Sequence, residues 1–535
     1  MQRDLSNPPA NHQGHEIIPA AQRLSQNPSW TTVRDFEAWH SKAHTPTTPQ
    51  NQVRLHYHLA ETGPTTYSYR HQRRGWTDAM TSTRVKEDST LGTLDIVGVG
   101  FGPSNLALAI AIEEHNATCA PGDRIRARFV ERQLAFAWHP GMLLDGATMQ
   151  IAFPKDLVTF RNPTSAYSFF TYLFDKGRLV DFVNHQTFFP TRHEFNDYLR
   201  WAADRVDADV QYGTTVTGIT ESGSRSGTFD EFSVETSAGE ILRTRNVVVG
   251  AGLRARLPEW ASPSPRCFHN HRFLFHLENL PELRHQRFVV LGAGQSAAEV
   301  VQYLHRHYPN AEVHSVFSRY GYSPADDSPY ANRIFDPATV DELHGTTSEQ
   351  RERLLALHKG TNYSVVDIEL INELYTTEYQ EMVRGRRRLF MRKASYITDV
   401  VDGPDGIDVS VRSNLDGLTD KLSCDAVVLA TGFTSMPLKE ILGDLAPVSD
   451  STVQVTRDYR LATKPEVRAG IYLQGGTEKT HGLTASLLSN VAVRAGEILA
   501  SVVANRFTRN DSRTEEITVE AATERDNTSS RFAAR

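Results

Sequence analysis

Two glycine-rich turns, each between an apolar run and a helix-forming run, constrain this chain more than any other feature. The first is Asp95-Ile96-Val97-Gly98-Val99-Gly100-Phe101-Gly102-Pro103-Ser104-Asn105, continuing into Leu106-Ala107-Leu108-Ala109. The second is Phe288-Val289-Val290-Leu291-Gly292-Ala293-Gly294-Gln295-Ser296-Ala297-Ala298-Glu299. Each apolar run breaks at Gly-x-Gly and then turns helical, which is how a strand delivers a dinucleotide's pyrophosphate to a helix N-terminus. One such fingerprint is weak evidence. Two of them predict two dinucleotides held face to face, most simply a flavin (FAD) and a nicotinamide.

In the first fingerprint Gly98 and Gly100 allow the tight turn and the close approach of backbone to phosphate. Pro103 takes the third glycine position, tolerated in the first helical turn because its missing N–H would be unpaired anyway, and Ser104 and Asn105 follow. The run Ile125 to Val130 reads as the next strand, ending on Glu131, where a ribose hydroxyl is usually held. The spacing from Gly98 to Glu131 exceeds the usual ~20 residues, so a longer helix or loop intervenes. In the second fingerprint Gly292 and Gly294 play the same parts, Gln295 and Ser296 open the helix, and Ala297 is the small third residue. The following strand, Glu312 to Phe317, ends at Ser318-Arg319 without an acid. A cation there suits a 2′-phosphate and favours NADPH over NADH; an ordinary surface arginine is the alternative.

At 535 residues the chain has room for two or three domains. Its net charge of -7 argues against a nucleic-acid partner. No apolar run approaches the ~18 residues of a membrane span, and the first residues lack the apolar core of a signal peptide. Cys119, Cys267 and Cys424 are odd in number, far apart and without a Cys-x-x-Cys pair, which points to a reducing cytoplasm. Residues 1–93 are polar and aperiodic apart from a short stretch near Val33 to His40, and are expected to be mostly disordered. A second reading starts the working protein at Met80. The tail, 508–535, is expected to be disordered likewise.

The ordered body is expected to divide into a first FAD-binding part (94–285), an NADPH-binding part (286–420) and a return to the FAD domain with a pocket wall (421–507). The apolar runs 246–252 and 426–433 read as buried strands leading into glycine turns. A helical stretch from about Val340 to Met382 lies inside the insert. The fold class is therefore α/β, with two Rossmann-like dinucleotide-binding domains (FAD and NADPH) and a small helical substrate-binding region.

Several polar residues stand in apolar surroundings. Lys155, in Met149-Gln150-Ile151-Ala152-Phe153-Pro154-Lys155-Asp156-Leu157, reads equally as an anion ligand or as a lysine snorkelling to solvent. Asp326-Asp327-Ser328-Pro329 and Asn362-Tyr363-Ser364 read singly as turns and caps. His481, before Gly482, reads as a helix-start residue rather than a catalyst.

Taken together, these stretches closely resemble the flavin-dependent N-hydroxylating monooxygenases of siderophore biosynthesis, specifically the L-ornithine N5-monooxygenases. The resemblance runs from about Leu94 to Leu499. Beyond the two fingerprints it is carried by Met149-Gln150-Ile151 through Leu157, Arg161-Asn162-Pro163, Asp326 to Pro329, Thr361 to Asp367, Ala430-Thr431-Gly432-Phe433 and His481-Gly482-Leu483. It implies that Lys155 binds the ornithine carboxylate, that Asn332 lies near the side-chain amine and the nicotinamide ribose, and that Asn362 holds the substrate's backbone groups. It implies also that Gln150 lines the flavin, with Trp138 and His139 on the FAD side, and that Leu483, Thr484 and Ser486 form the last wall of the substrate pocket. Pro154 and Ala331 stand where larger apolar residues are expected.

The chemistry implied is reduction of FAD by NADPH, reaction with O2 to a flavin C4a-hydroperoxide, and transfer of the distal oxygen to a neutral amine. Asn332 would position that amine; the flavin, not a side chain, is the reactive group. A disulfide reductase is excluded by the lack of a cysteine pair, and the Phe-x-Gly-x-x-x-His motif of Baeyer–Villiger-type enzymes does not occur. Putrescine or L-lysine in place of ornithine, and a non-catalytic NADPH-sensing flavoprotein, are the competing readings. No metal is implied, and a homo-oligomer is possible.

Overall fold

The computed structural model describes residues 86–87, 92–225, 227–362, 364–447 and 453–506. Both glycine turns sit at the ends of central strands in two parallel five-stranded sheets. Across the first sheet the strands run Gly470–Leu473, Asn246–Val249, Ile96–Val99, Ala127–Val130, Asp209–Gln211. Across the second they run Cys267–His269, Ala426–Leu429, Arg287–Leu291, Glu312–Val316, Leu389–Arg392. Ile96–Val99, Asn246–Val249, Ala426–Leu429 and Gly470–Leu473 are buried at every position. Strands covered on both faces have no solvent side to mark with polar residues, so they read as unbroken apolar runs.

One plan occurs twice. After the fingerprint strand comes a helix, Pro103–Thr118 or Gln295–His307, then two further parallel strands on one side. A three-stranded antiparallel meander then crosses back to the strand on the other side of the fingerprint. It is Val216–Arg225, Thr228–Thr236, Glu240–Thr244 in the first region and Ser395–Asp402, Ile407–Ser413, Thr419–Cys424 in the second. The Pro103–Thr118 helix is buried continuously from Asn105 to Ile112, so it is enclosed rather than amphipathic.

Several expectations are corrected. Ala426–Leu429 pairs with Arg287–Leu291, and Cys267–His269 pairs with it in turn. The second sheet therefore draws its strands from Cys267 to Leu429, beyond the expected limits of 286 and 420. The return to the first sheet is Gly470–Leu473, beside Asn246–Val249. Buried parallel strands share one apolar pattern, and nothing in that pattern tells which sheet a strand will join.

The helical stretch expected from Val340 to Met382 is broken into Thr339–Gly345, Ser348–Leu357, a 3-10 turn His358–Thr361, and Ile368–Val383. Thr347 caps the second piece through Gln350 N–H, and Asp367 precedes the last. Within the segment expected to be aperiodic, Lys86–Glu87 forms a two-residue strand parallel to Glu240–Thr244; two polar residues carry no readable period. The strand expected from Ile125 begins at Ala127. The expected feature near Val33 to His40, the alternative start at Met80 and the tail lie outside the described residues. Among the described residues no helix is long and apolar enough to cross a membrane.

A buried ion pair links the two sheet regions. Arg192 opens the helix Arg192–Arg205, whose cap is Thr191. Its Nη1 and Nη2 donate to the two carboxylate oxygens of Glu299 at 2.8 and 2.7 Å. Glu299 lies on the second fingerprint helix and is only 4% exposed. Burial pushes its carboxyl above the ordinary range, and Arg192 opposes that shift. Arg192→Met should strand the carboxylate and cost about 3–5 kcal/mol, whereas Arg192→Met with Glu299→Leu should recover most of it. Urea denaturation of the three proteins checks this, and equal stability of the single and double variants would reject the pair as a buried charge dependency.

Candidate functional site

The first glycine turn is shaped by what surrounds it. A Cβ on Gly98 would lie 2.2 Å from Phe129 Cδ1 on the next strand. Gly100 has φ of +85°, and a Cβ there would lie 2.7 Å from the Gly250 carbonyl oxygen. Gly102 differs: its φ is ordinary and nothing stands within 4 Å of an added Cβ. The open side of the turn is thus at Gly102 and Pro103, where the helix begins. Glu131 Oε2 accepts from Phe101 N–H at 2.7 Å and Oε1 from Gln133 N–H at 2.8 Å. Its carboxylate pins the turn and retains lone pairs for a ribose hydroxyl.

Asn105 faces inward. Its Nδ2 donates to Gly100 O at 2.7 Å and Val99 O at 3.3 Å, and its Oδ1 accepts from Gln474 Nε2 at 3.1 Å. Asn105 therefore locks the turn rather than offering its amide to a ligand. Ser104 O accepts from Gln474 at 3.0 Å, and Ser104 Oγ from Arg494 Nη2 at 3.4 Å.

The second turn is tighter. Gly292 has φ of +147°, and a Cβ there would meet Ala430 O at 2.3 Å. Gly294 precedes the helix, with Ser296 half-buried in its first turn. Gln295 Nε2 donates to Glu299 at 3.0 Å and Asp367 at 2.8 Å, while its Oε1 accepts from Asp367 N–H at 2.9 Å. The exposed Gln150 donates to the other Asp367 oxygen at 3.2 Å. Gln150 and Gln295, expected on different dinucleotides, thus meet at Asp367, whose carboxyl is pushed up by burial. Arg319 is exposed but anchored, Nη1 donating to Ser364 O at 2.7 Å and Ser323 Oγ at 3.3 Å.

The residues assigned to an amine substrate converge from separate elements. Lys155 Nζ lies 5.8 Å from the Phe335 ring centroid. Phe335 closes the 3-10 turn Ala331–Phe335 that carries Asn332, and that turn packs against both His358–Thr361, followed by Asn362, and Leu483–Ser486. Lys155 is half-buried, and burial draws its ammonium below the ordinary lysine range, with Asp336 opposing. Asn332 Nδ2 donates to Asp327 O at 2.7 Å, which leaves its amide oxygen as the free end. Ser328 N–H donates to Asp326 Oδ1 at 3.3 Å, so the Asp326 cluster does serve as a turn. Leu483 and Thr484 are buried, and Ser486 Oγ accepts from Gly476 N–H at 3.0 Å and bonds Glu478.

Of the two histidines singled out by the sequence, His481 is a packing group and His139 is exposed. His481 ends, rather than starts, the helix Glu478–His481; it is fully buried and stacks on Tyr459 at 4.2 Å. Burial lowers it to about 4, so it is neutral and occupied. His139 has φ of +47°, and its ring sits 6.3 Å from Phe433 and 5.1 Å from Trp138.

Residues 92–435 match the family model described as L-lysine 6-monooxygenase/L-ornithine 5-monooxygenase. The chain belongs to the L-lysine 6-monooxygenase/L-ornithine 5-monooxygenase family. It is 41% identical over 401 residues to an L-ornithine N(5)-monooxygenase of Burkholderia cepacia, covering 72% of this chain and 89% of that protein. It superposes on the ornithine N-hydroxylase of Kutzneria sp. 744, solved with reduced FAD, NADP+ and L-ornithine, with a TM-score of 0.73 and 42% identity, over 77% of this chain and 100% of that one. An L-lysine 6-monooxygenase of Pseudomonas syringae gives 0.68 and 34%, over 77% of this chain and 99% of that one. Both glycine cradles fit the dinucleotides of such an enzyme, since each is closed by backbone on one side and begins a helix on the other.

For this member of the L-lysine 6-monooxygenase/L-ornithine 5-monooxygenase family, sequence reasoning missed Gln474 and Arg494, which bond the first fingerprint, and gave Asp367 no role. Arg494 carried a signal: a lone cation in Val491-Ala492-Val493-Arg494-Ala495. The glycines allow a direct check. Gly100→Ala should destabilise the fold by about 1–3 kcal/mol because φ and the Gly250 carbonyl both forbid it. Gly102→Ala should leave thermal stability within about 0.5 kcal/mol yet weaken dinucleotide binding. A Gly102→Ala protein with unchanged dinucleotide affinity would contradict the open side as the ligand side.

Proposed function

We propose that this protein N-hydroxylates the side-chain amine of L-ornithine, giving N5-hydroxyornithine for hydroxamate siderophore biosynthesis, with FAD and NADPH as cofactors and O2 as co-substrate. The observation that carries the reading is Lys155. It is half-buried, and among the described residues its ammonium has no carboxylate within ion-pair distance. A cation so placed calls for an anionic ligand group. Ornithine has a carboxylate to offer and putrescine has none. The relatives named for ornithine, at 41–42% identity, support the same substrate over lysine.

FAD, reduced by NADPH, supplies activated oxygen when bound. The protein's share is to bind, orient and select the protonation state of the amine. A free amine of this type titrates near ~10.4, so the ammonium form must be disfavoured. With its Nδ2 held by Asp327 O, Asn332 presents an uncharged acceptor to the amine N–H. A carboxylate in that place would stabilise the ammonium instead. Lys155 at the other end would fix the length read by the pocket. Asn362 and the Leu483–Ser486 segment would close its sides. Three free cysteines fit a reducing compartment, the cytoplasm in our reading.

Lys155→Ala should raise the ornithine KM roughly tenfold to a hundredfold, the worth of a charge-assisted bond. Flavin reduction by NADPH should stay near normal, and more of the NADPH consumed should appear as hydrogen peroxide. The check is product and peroxide assayed together with ornithine, lysine and putrescine; an unchanged ornithine KM would reject the carboxylate role.

For the nicotinamide, Arg319→Ala should raise the KM for NADPH far more than that for NADH. The guanidinium is anchored by Ser364 O at the end of the strand where a 2′-phosphate is read. Equal effects on the two nucleotides would reject the assignment.

A further inference from the structure

Arg494 is the most deeply buried cation described, 2% exposed in the first turn of the helix over residues 491–506. A guanidinium has five N–H donors. Here Nη1 donates to Thr484 O at 3.1 Å, Nη2 to Ser104 Oγ at 3.4 Å and Nε to Gln474 Oε1 at 3.5 Å. All three acceptors are neutral, and two of the bonds are long. The acids whose charge reaches it are committed elsewhere. Glu497 forms a bidentate pair with Arg457 at 2.8 and 3.0 Å, and Glu478 bonds Ser486 Oγ.

An enclosed cation without an acid is costly, because neutral dipoles recover only part of its lost hydration. Its position shows what completes it. Ser104 is the second residue of the helix that opens at the first glycine turn, so Arg494 adds a full positive charge behind a helix end already suited to phosphate. Its other contact, Thr484, belongs to the wall of the amine pocket. One side chain thus bridges the flavin cradle and the substrate wall. Gln474 and Asn105 continue the connection to the Gly100 carbonyl.

We infer that Arg494 is a positioning residue that uses the diphosphate of bound FAD as its counter-charge and, through Thr484, fixes the amine-pocket wall against the flavin cradle. This rests on the FAD reading above. Its two roles separate by substitution: charge serves the diphosphate, and the fork serves the wall.

The test uses the full chain stripped of flavin, with FAD affinity measured by fluorescence titration at low and high salt. Arg494→Met should weaken FAD binding roughly tenfold to a hundredfold, as expected for a lost bond to a charged group, and flatten its salt dependence. Arg494→Lys should keep most of the FAD affinity but raise the ornithine KM with little change in kcat, because one ammonium cannot span three acceptors. If Arg494→Met is insoluble, Arg494→Gln, which keeps hydrogen bonding and loses the charge, carries the same test. Unchanged FAD affinity in the neutral variant, or an equal loss in the lysine and neutral variants, overturns the inference. A wild-type protein that binds no FAD refutes the cofactor reading and this inference with it.

Discussion

The crossing of Gly100 over Gly250 is the contact on which the rest depends. Two backbones approach so closely that a Cβ on Gly100 would lie 2.7 Å from a carbonyl oxygen, and a Cβ on Gly250 would lie 2.7 Å from Asn105 Nδ2. That approach lets strand Asn246–Val249 pair beside Ile96–Val99 up to the glycine turn. Asn105 then fills the corner: it satisfies Gly100 O and adds a second donor to Val99 O, which also accepts from Gly250 N–H at 2.9 Å. Buried carbonyls without partners would cost more than the turn gains. From that corner, Gln474 and Arg494 carry order outward to the Leu483–Ser486 turn.

The fingerprints were legible because they are local. Steric demands on Gly98, Gly100 and Gly292 are met within one strand-turn-helix unit and its immediate neighbours, so the residue pattern records them. The residues assigned to an amine substrate were proposed only through family resemblance. Lys155, Asn332, Asn362 and Leu483 come from four separate elements, and no period or spacing relates them. Strand membership was less legible still. Ala426–Leu429 and Gly470–Leu473 are both short buried strands, and only long-range pairing decides that one joins Arg287–Leu291 and the other Asn246–Val249.

Burial overrides chemical type. His481 looks like a functional group as a letter, yet it is enclosed, and desolvation holds its imidazole neutral at about 4. It is spent on packing, against Tyr459. Asp367 went the other way. It looked like the end of a motif, but it joins Gln150, of the 149–157 stretch, to Gln295 at the second glycine turn through one carboxylate. A sequence shows which groups could ionise; enclosure decides which of them remain available.

Lys155, Arg319 and Arg494 show this most clearly. All three are cations without an acid at ion-pair distance among the described residues, yet their settings differ. Arg319 is exposed and tethered by a carbonyl, which suits a group read at the surface, such as a nucleotide phosphate. Lys155 is half-buried beside an aromatic ring, where a small ligand can reach it and water is partly excluded. Arg494 is fully enclosed and meets only neutral acceptors. Desolvation raises the cost of an unpaired charge in that order. The drive to acquire a counter-ion therefore rises from Arg319 to Arg494, and with it the structural consequence of leaving the ligand out. An exposed tether, a half-buried lysine and an enclosed guanidinium thus pose three graded demands for a counter-charge.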